Sequence, residues 1–150
     1  KHEYLADSAG AGRWRGGCGV ETEFIMRGED VTGVAFGDGV EEEARAFGFF
    51  GGQPGSRNAI TLTYPDGSRR EAKTKEIIRG IPPGTVFHQL AGGGGGYGDP
   101  CHRPADVVLA EVRDGLISVE AARRDYGVWV DPKSFALDVR RTAELRRAKR

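Results

Sequence analysis

Cysteine is scarce in this sequence, neither sign of charge is in excess, and no long apolar run occurs. Cys18 and Cys101 lie far apart and form no CxxC pair, which favours a reducing compartment and hence a cytoplasmic location. No stretch reaches the roughly 18–20 apolar residues that a membrane-spanning helix needs, so no membrane partner is expected. The 22 basic and 22 acidic side chains cancel, so no overall field favours nucleic acid as a partner.

Glycine, in contrast, is abundant, with 24 residues among 150, twice the usual ~7%. The glycines follow no three-residue period, which excludes a collagen-like helix and indicates many tight turns. Hydrophobic residues make up 38% of the chain and charged residues 29%, as is typical of a folded protein. The length suits one ordinary domain with a single core.

The first 91 residues are predicted to be rich in β-structure. Their clearest signal is a β-hairpin, in which the sequence PDG at residues 65–67 supplies the turn between an alternating strand and a polar edge strand. Residues 1–17 are expected to be irregular, and residues 45–56 to form a short strand followed by a loop. The other predicted strands lie within residues 18–28, 30–39, 60–64, 68–73 and 86–90.

After residue 103 the pattern changes to helices. Pro104 at the start and Gly115 past the end delimit one helix, and Ser118 as N-cap and Gly127 as stop delimit a second. The sequence therefore predicts an α+β fold, with a β-rich body over residues 18–90 and a helical cap at the C-terminal end.

A third helix is predicted to open at Asp131-Pro132, because aspartate followed by proline is typical of a helix start. Its expected inward residues are Phe135, Val139 and Ala143. The chain then divides into a β-rich part (1–91), a glycine-rich loop (92–103) and a helical part (104–150).

The glycine-rich loop contains five consecutive glycines, from Gly92 to Gly96. The run formally includes GxGxxG, but Pro100 and Pro104 postpone the helix that a dinucleotide site needs directly after this motif. Two interpretations remain open. Either bare backbone lets another segment or subunit pack closely, or exposed N–H groups face an anion or a carbonyl oxygen.

The polar residues near this loop also allow more than one interpretation. Asp99 is either the cap of the following turn or a carboxylate placed in a site. Cys101 and His102 are adjacent and would point to opposite sides of an extended segment, which is poor geometry for one metal ion, so no metal site is expected in this chain. His88 is predicted to be a hydrogen-bonded histidine on a sheet face, and Trp14 either packs locally between two arginines or anchors a partner.

Two blocks of sequence resemble one known family, the hydantoinase B and oxoprolinase family. The blocks are GGGGGYGDPCHRPADVVLAEVRDGLISVEAARRDYGVWVD, residues 92–131, and DSAGAGRWRGGCGVETEF, residues 7–24. Their order and separation also match, so the resemblance covers nearly the whole chain. Members of the family are several times longer, and the resemblance therefore implies that residues 1–150 are a single C-terminal segment of a larger subunit.

The resemblance implies a function in an ATP-dependent complex. A hydantoinase A-like subunit would bind ATP with Mg²⁺ and phosphorylate a small cyclic amide of the hydantoin or oxoproline type, and the B-type subunit would complete ring opening. A possible divalent metal ion would be held by the remainder of the B-type subunit, in its N-terminal part. Two alternatives stay open: part of an ATP-dependent ketone carboxylase subunit, or a non-catalytic assembly module.

The resemblance names no catalytic residue in this chain, which is expected to be inactive alone. It implies instead a loop that lies near the substrate or at a subunit interface. The residues of this loop are Gly93, Gly94, Gly95, Gly96, Tyr97, Gly98 and Asp99.

Overall fold

A computed structural model describes residues 1–149 and shows two antiparallel sheets and three helices. This arrangement confirms the predicted α+β class. In the described residues the strands are β1 (His2–Leu5), β2 (Gly19–Ile25), β3 (Val31–Phe36), β4 (Ala59–Thr63), β5 (Arg69–Glu71), β6 (Lys75–Ile81) and β7 (Val86–Ala91). The helices are α1 (Ala105–Arg113), α2 (Val119–Tyr126) and α3 (Val139–Ala148).

Five strands form the larger sheet, in the order β1-β2-β7-β4-β5. Strand β7 lies at its centre, where Ala91 is paired with Val20 of β2 and Leu90 with Ala59 of β4. The predicted hairpin is confirmed as β4 and β5, with β5 at the edge of the sheet. The glycine run therefore follows directly after the central strand of this sheet.

Two strands that are distant in sequence, β3 and β6, form a separate ribbon. Its inner side packs on the larger sheet through a cluster of buried residues, Ala35, Leu62, Ala72, Ile78 and Ile81. A second cluster lies among the helices and includes Val108, Val112, Ala122, Tyr126, Val128 and Val130, together with Ala11 from the first loop. The sheets and the helices thus have separate apolar cores.

The first two helices begin and end where their capping residues predict. The Ser118 hydroxyl accepts a hydrogen bond from the Ala121 amide at 3.0 Å, and Gly127 closes α2 with a φ of 61°. Gly115 lies past the end of α1 with a φ of 72°. These ends are local, because each depends on atoms within one helical turn.

Two strand predictions were wrong, and strand β6 (Lys75–Ile81) was not predicted. Residues 2–5 form strand β1, because their backbone pairs with β2 although their own pattern is polar and irregular. Residues 45–56 form no regular strand; Phe49 makes a single isolated bridge with Tyr97. In both segments long-range pairing decides the conformation, and the local alternation of residues does not.

The start of the third helix was also wrong, since α3 begins at Val139 and Asp138 caps it. The Asp131 carboxylate instead accepts hydrogen bonds from the amides of Lys133 and Ser134 and closes a turn. Because the helix begins later than predicted, different residues face inward. Phe135 and Val139 are exposed, Ala143 is half-buried, and Thr142 is the buried residue of α3.

No helix among residues 1–149 combines the length and the apolar character that crossing a bilayer requires.

Replacing Ser118 with alanine is expected to lower the free energy of unfolding by about 1 kcal/mol, because the Ala121 amide loses its cap. Urea denaturation followed by circular dichroism would measure the change. Ser118→Thr keeps a hydroxyl and serves as the control, with stability close to that of the parent. Equal loss in both variants would contradict the capping role.

Candidate functional site

The glycine run lies between two other segments of the chain, residues 8–19 and 46–56. On one side the Gly94 amide donates a hydrogen bond to the Gly17 carbonyl at 2.9 Å, and the Gly94 carbonyl accepts one from Gly10 at 2.8 Å. On the other side the Gly96 amide donates to the Gln53 carbonyl at 2.9 Å. We call these three hydrogen-bonded segments, residues 8–19, 46–56 and 92–98, the glycine core.

Side chains are excluded from the contact surfaces of the glycine core. A Cβ atom at Gly93, Gly95 or Gly96 would come closer than 3.0 Å to backbone atoms of the flanking segments. The same holds in the reverse direction for Gly52 and Gly55, whose Cβ atoms would overlap the glycine run. Since the obstacle is backbone and not a movable side chain, these positions require glycine.

Most amide groups of the run are already engaged. Hydrogen bonds to oxygen atoms of this chain are donated by Gly92, Gly93, Gly94, Gly96, Tyr97 and Gly98. Close packing of bare backbone, one of the two interpretations of the run, therefore describes the arrangement in this chain. These six donors are not free to bind an anion, and a contact of Gly93–Asp99 with a substrate or partner stays a prediction.

The residues that follow the run form a short capped turn. The Asp99 carboxylate accepts a hydrogen bond from the Cys101 amide at 2.8 Å and so caps the 3₁₀ turn Pro100–His102. Burial raises the pKa of the Cys101 thiol, and the carboxylate of Asp99 adds to this effect. Among residues 1–149 no three His, Cys, Asp or Glu side chains are grouped as metal ligands would be.

A buried carboxylate joins the glycine core to the helices. Glu111 of α1 lies between two guanidinium groups, with its Oε1 atom 2.9 Å from Arg15 Nε and 2.8 Å from Arg103 Nη2. All three side chains are no more than 15% exposed. Arg103 also donates to the Arg13 carbonyl at 3.0 Å, so this ion cluster holds the first loop against the turn after the glycine run.

Sequence reasoning missed this ion cluster. In the sequence Arg15 stands out only as a neighbour of Trp14, and the 95 positions between Arg15 and Glu111 carry no local pattern that links them. The available signal was the buried side of α1, because a glutamate next to Val108 and Val112 on an apolar helix face needs a cationic partner.

His88 is hydrogen-bonded on the sheet face, as predicted. Its Nε2 atom lies 2.8 Å from Oε1 of Glu21, whose other carboxylate oxygen lies 2.7 Å from the Lys1 ammonium group. The hydrogen bonds from Lys1 and His88 lower the pKa of Glu21. Strands β2 and β7 are paired, and this pairing brings the two side chains together.

Aromatic side chains surround one end of the glycine core and are exposed. Trp14 and Tyr97 exchange backbone hydrogen bonds at 3.0 and 2.8 Å, and the bridge between Phe49 and Tyr97 brings residues 47–50 beside them. We call this surface the aromatic rim; its members are Trp14, Phe47, Phe49, Phe50 and Tyr97. The sequence indicates Trp14 as a possible anchor for a partner, but no local pattern connects it with the phenylalanines.

Solved structures of two ATP-dependent enzymes contain the same architecture as this chain. The nucleotide-free structure of acetone carboxylase has a TM-score of 0.75 over 99% of this chain and 24% of its own, at 21% identity, which shows the fold alone. The structure of ATP-dependent caprolactamase from Pseudomonas jessenii has a TM-score of 0.78 and 31% identity over 98% of this chain and 25% of its own.

Sequence relatives identify the family. The beta subunit of caprolactamase from Pseudomonas jessenii is 33% identical over an alignment of 139 positions, which covers 87% of this chain and 23% of the relative. The B subunit of a putative D-/L-hydantoinase from Pseudomonas sp. (strain NS671) is 28% identical over an alignment of 155 positions, which covers 98% of this chain and 24% of the relative. The model of the hydantoinase B/oxoprolinase family matches residues 1–100, and the chain belongs to this family. It spans about a quarter of the length of the curated relatives it matches.

Replacing Gly96 with alanine is expected to lower the free energy of unfolding by about 1–3 kcal/mol, the usual cost of overpacking, because the new Cβ would meet the Ala11 carbonyl. Gly17→Ala is the matched control: it lies in the same core, but nothing is within 4 Å of its Cβ. Denaturation of the two variants in urea measures the difference. Equal stability of both would show that the glycines are not required by packing.

Stability should fall between about pH 10 and 12 in part because of Tyr126. Burial raises the pKa of this phenol to about 12, whereas the unfolded chain releases the proton near pH 10. Deprotonation therefore favours the unfolded chain across this range and costs nothing below it. Tyr126→Phe should show a shallower loss of stability from pH 9 to 11.5 in urea titrations, and parallel curves for the two proteins would contradict the assignment.

Proposed function

We propose that this chain is the C-terminal part of the hydantoinase B-like subunit of an ATP-dependent hydrolase that opens cyclic amides. The main support for this proposal is the likeness to the ATP-dependent caprolactamase, which extends over almost the whole chain in both sequence and structure. The relative is the beta subunit of its enzyme, which supports a complex of unlike subunits. In this proposal the partner is a hydantoinase A-like subunit that binds ATP with Mg²⁺, and the complex is cytoplasmic.

Activation by ATP suits this substrate class. Resonance makes an amide carbonyl a poor electrophile, and phosphorylation of its oxygen by ATP on the A-type subunit would make the carbon more electrophilic. Water would then add to this carbon, the ring C–N bond would break as the nitrogen takes a proton, and a second water would release phosphate from the acyl phosphate that results. Any divalent metal ion belongs, in this proposal, to the remainder of the B-type subunit. Residues 1–149 bring no three His, Cys, Asp or Glu side chains together to hold it, so this proposal gives the metal ion no ligands from this chain.

The contribution of this chain is to hold a rigid loop in place. The backbone of Gly93–Gly98 is fixed on both sides by the glycine core, and Asp99 caps the turn that follows. The Glu111 ion cluster keeps this turn against the first loop. A loop fixed in this way can define one wall of a substrate site, or an interface beside it, without rearranging when the partner binds.

Hydrolysis of an amide is favoured over carboxylation of a ketone for a specific reason. The likeness to acetone carboxylase stands at 21% identity and concerns the fold, whereas the likeness to the caprolactamase stands at 31–33%. The third candidate is an assembly module without a role in turnover. For such a module, a change in the glycine run that leaves the complex folded and assembled should leave turnover unchanged.

The complete complex, with A-type and B-type subunits, is expected to hydrolyse a cyclic amide only with ATP, and residues 1–150 alone are expected to be inactive. Phosphate release and ring-opened product should be measured with caprolactam, hydantoin and 5-oxoproline. Gly95→Val should abolish turnover, because its side chain would collide with the Phe47 carbonyl, and Gly17→Ala should retain it.

Three results would contradict the proposal. Hydrolysis by the isolated chain would remove the need for a partner. ATP turnover that requires bicarbonate and a ketone would identify a carboxylase. Unchanged turnover in a folded, assembled Gly95→Val complex would leave the glycine run without a role in activity.

A further inference from the structure

The aromatic rim is a large exposed apolar surface, at the upper end of the range for a monomer. Its five members, Trp14, Phe47, Phe49, Phe50 and Tyr97, are between 51% and 78% exposed. Together these rings expose on the order of 600 Å², given the usual area of an aromatic side chain. A typical monomer exposes a largest apolar patch of roughly 300–600 Å², and such a patch is often functional.

Four of the rings are in contact one after another, and Trp14 lies beside them through its backbone pairing with Tyr97. The centroids of Phe47 and Phe49 are 4.9 Å apart, those of Phe49 and Phe50 are 6.3 Å apart, and those of Phe50 and Tyr97 are 5.3 Å apart. The guanidinium of Arg13 lies 5.9 Å from the ring of Trp14 at the border of the rim. The surface therefore combines aromatic rings in edge-on and tilted contact with a cation at one side.

The backbone beneath Phe50 is held in an unfavourable conformation. The Gly52 amide donates to the Phe49 carbonyl at 2.9 Å and closes a tight turn, in which φ is 50° at Phe50 and 90° at Gly51. Turns with two positive φ angles strongly favour asparagine, aspartate and glycine, and a phenylalanine there is rare. Because the Phe50 side chain is 78% exposed, the core of this chain does not require it.

We propose that the aromatic rim docks onto the remainder of the B-type subunit, the part outside these 150 residues. This inference rests on the proposed function, since it takes the chain to be a segment of such a subunit. The matched relatives are about four times as long as this chain, so three quarters of a comparable subunit must be placed around it. A part of the same subunit is present at high effective concentration and competes well against separate molecules.

The chemistry of the rim indicates which groups the docking surface should carry. Exposed rings in edge-on and tilted contact require apolar or aromatic groups opposite them, and Phe50 at the tip of its turn is the central anchor. Arg13 at the border calls for a carboxylate on the docking surface. Docking would place the turn of residues 49–52 and the glycine run, which contact each other, at the junction with the rest of the subunit.

Hydroxyl-radical footprinting tests the occupant directly, with the isolated chain and the full-length B-type subunit that carries it compared without ATP or substrate. Oxidation of the rim residues is expected to fall about fivefold or more in the full-length subunit, as suits rings that become buried. Equal oxidation in both samples would overturn the proposal. Protection that appears only with the A-type subunit, only with caprolactam, or in a self-associated isolated chain would also overturn it.

A pair of variants separates docking from folding. Phe50→Asn suits the positive φ angle, so the melting temperature of the isolated chain should stay the same or rise, whereas the full-length subunit should melt at a lower temperature and lose protection of the rim. Phe36→Asn is the matched control, because Phe36 is 81% exposed and lies outside the rim. A full-length subunit that responds equally to both changes would overturn the proposal. A subunit that docks but hydrolyses no cyclic amide would overturn the proposed function alone.

Discussion

Three backbone segments lie so close together that no side chain fits between them, and the rest of the structure depends on this contact. The glycine run lies between the other two segments and follows strand β7, which is the middle strand of the larger sheet. Each neighbouring segment satisfies amide groups of the run, so burying this polar backbone carries no unpaired donor at those positions. The flexibility of free glycine is thereby converted into a fixed scaffold.

The scaffold also explains why charged and aromatic residues gather at its borders. Side chains cannot enter the glycine core, so Trp14, Tyr97 and the phenylalanines at 47, 49 and 50 project from its end. Arg15 leaves the same core on the side of the helices and reaches Glu111. A buried ion pair stabilises little overall, but losing one partner is costly, so this cluster mainly specifies how loop and helix fit together.

Prediction from the sequence succeeded where the signals act over short distances. The PDG turn, the Ser118 cap and the Gly127 stop depend on atoms a few positions apart, and each lies where it was predicted. Prediction failed at β1 and at the start of α3. Strand β1 exists because β2 pairs with it, and Asp131 and Asp138 offer two equally good local caps, between which only the pairing of residues 129–131 with 136–138 chooses.

The sequence by itself determined the α+β class, two of the helices, the hairpin and, through two ordered blocks, membership of the hydantoinase B/oxoprolinase family. Only the tertiary structure decided what the five glycines contact, which of the scattered arginines meet Glu111, and that the aromatic residues form one surface. The physical reason is the separation along the chain between the groups that interact. Caps and turns are satisfied by neighbours along the chain, whereas the glycine backbone, the Glu111 carboxylate and the ring of Tyr97 contact segments tens of residues away.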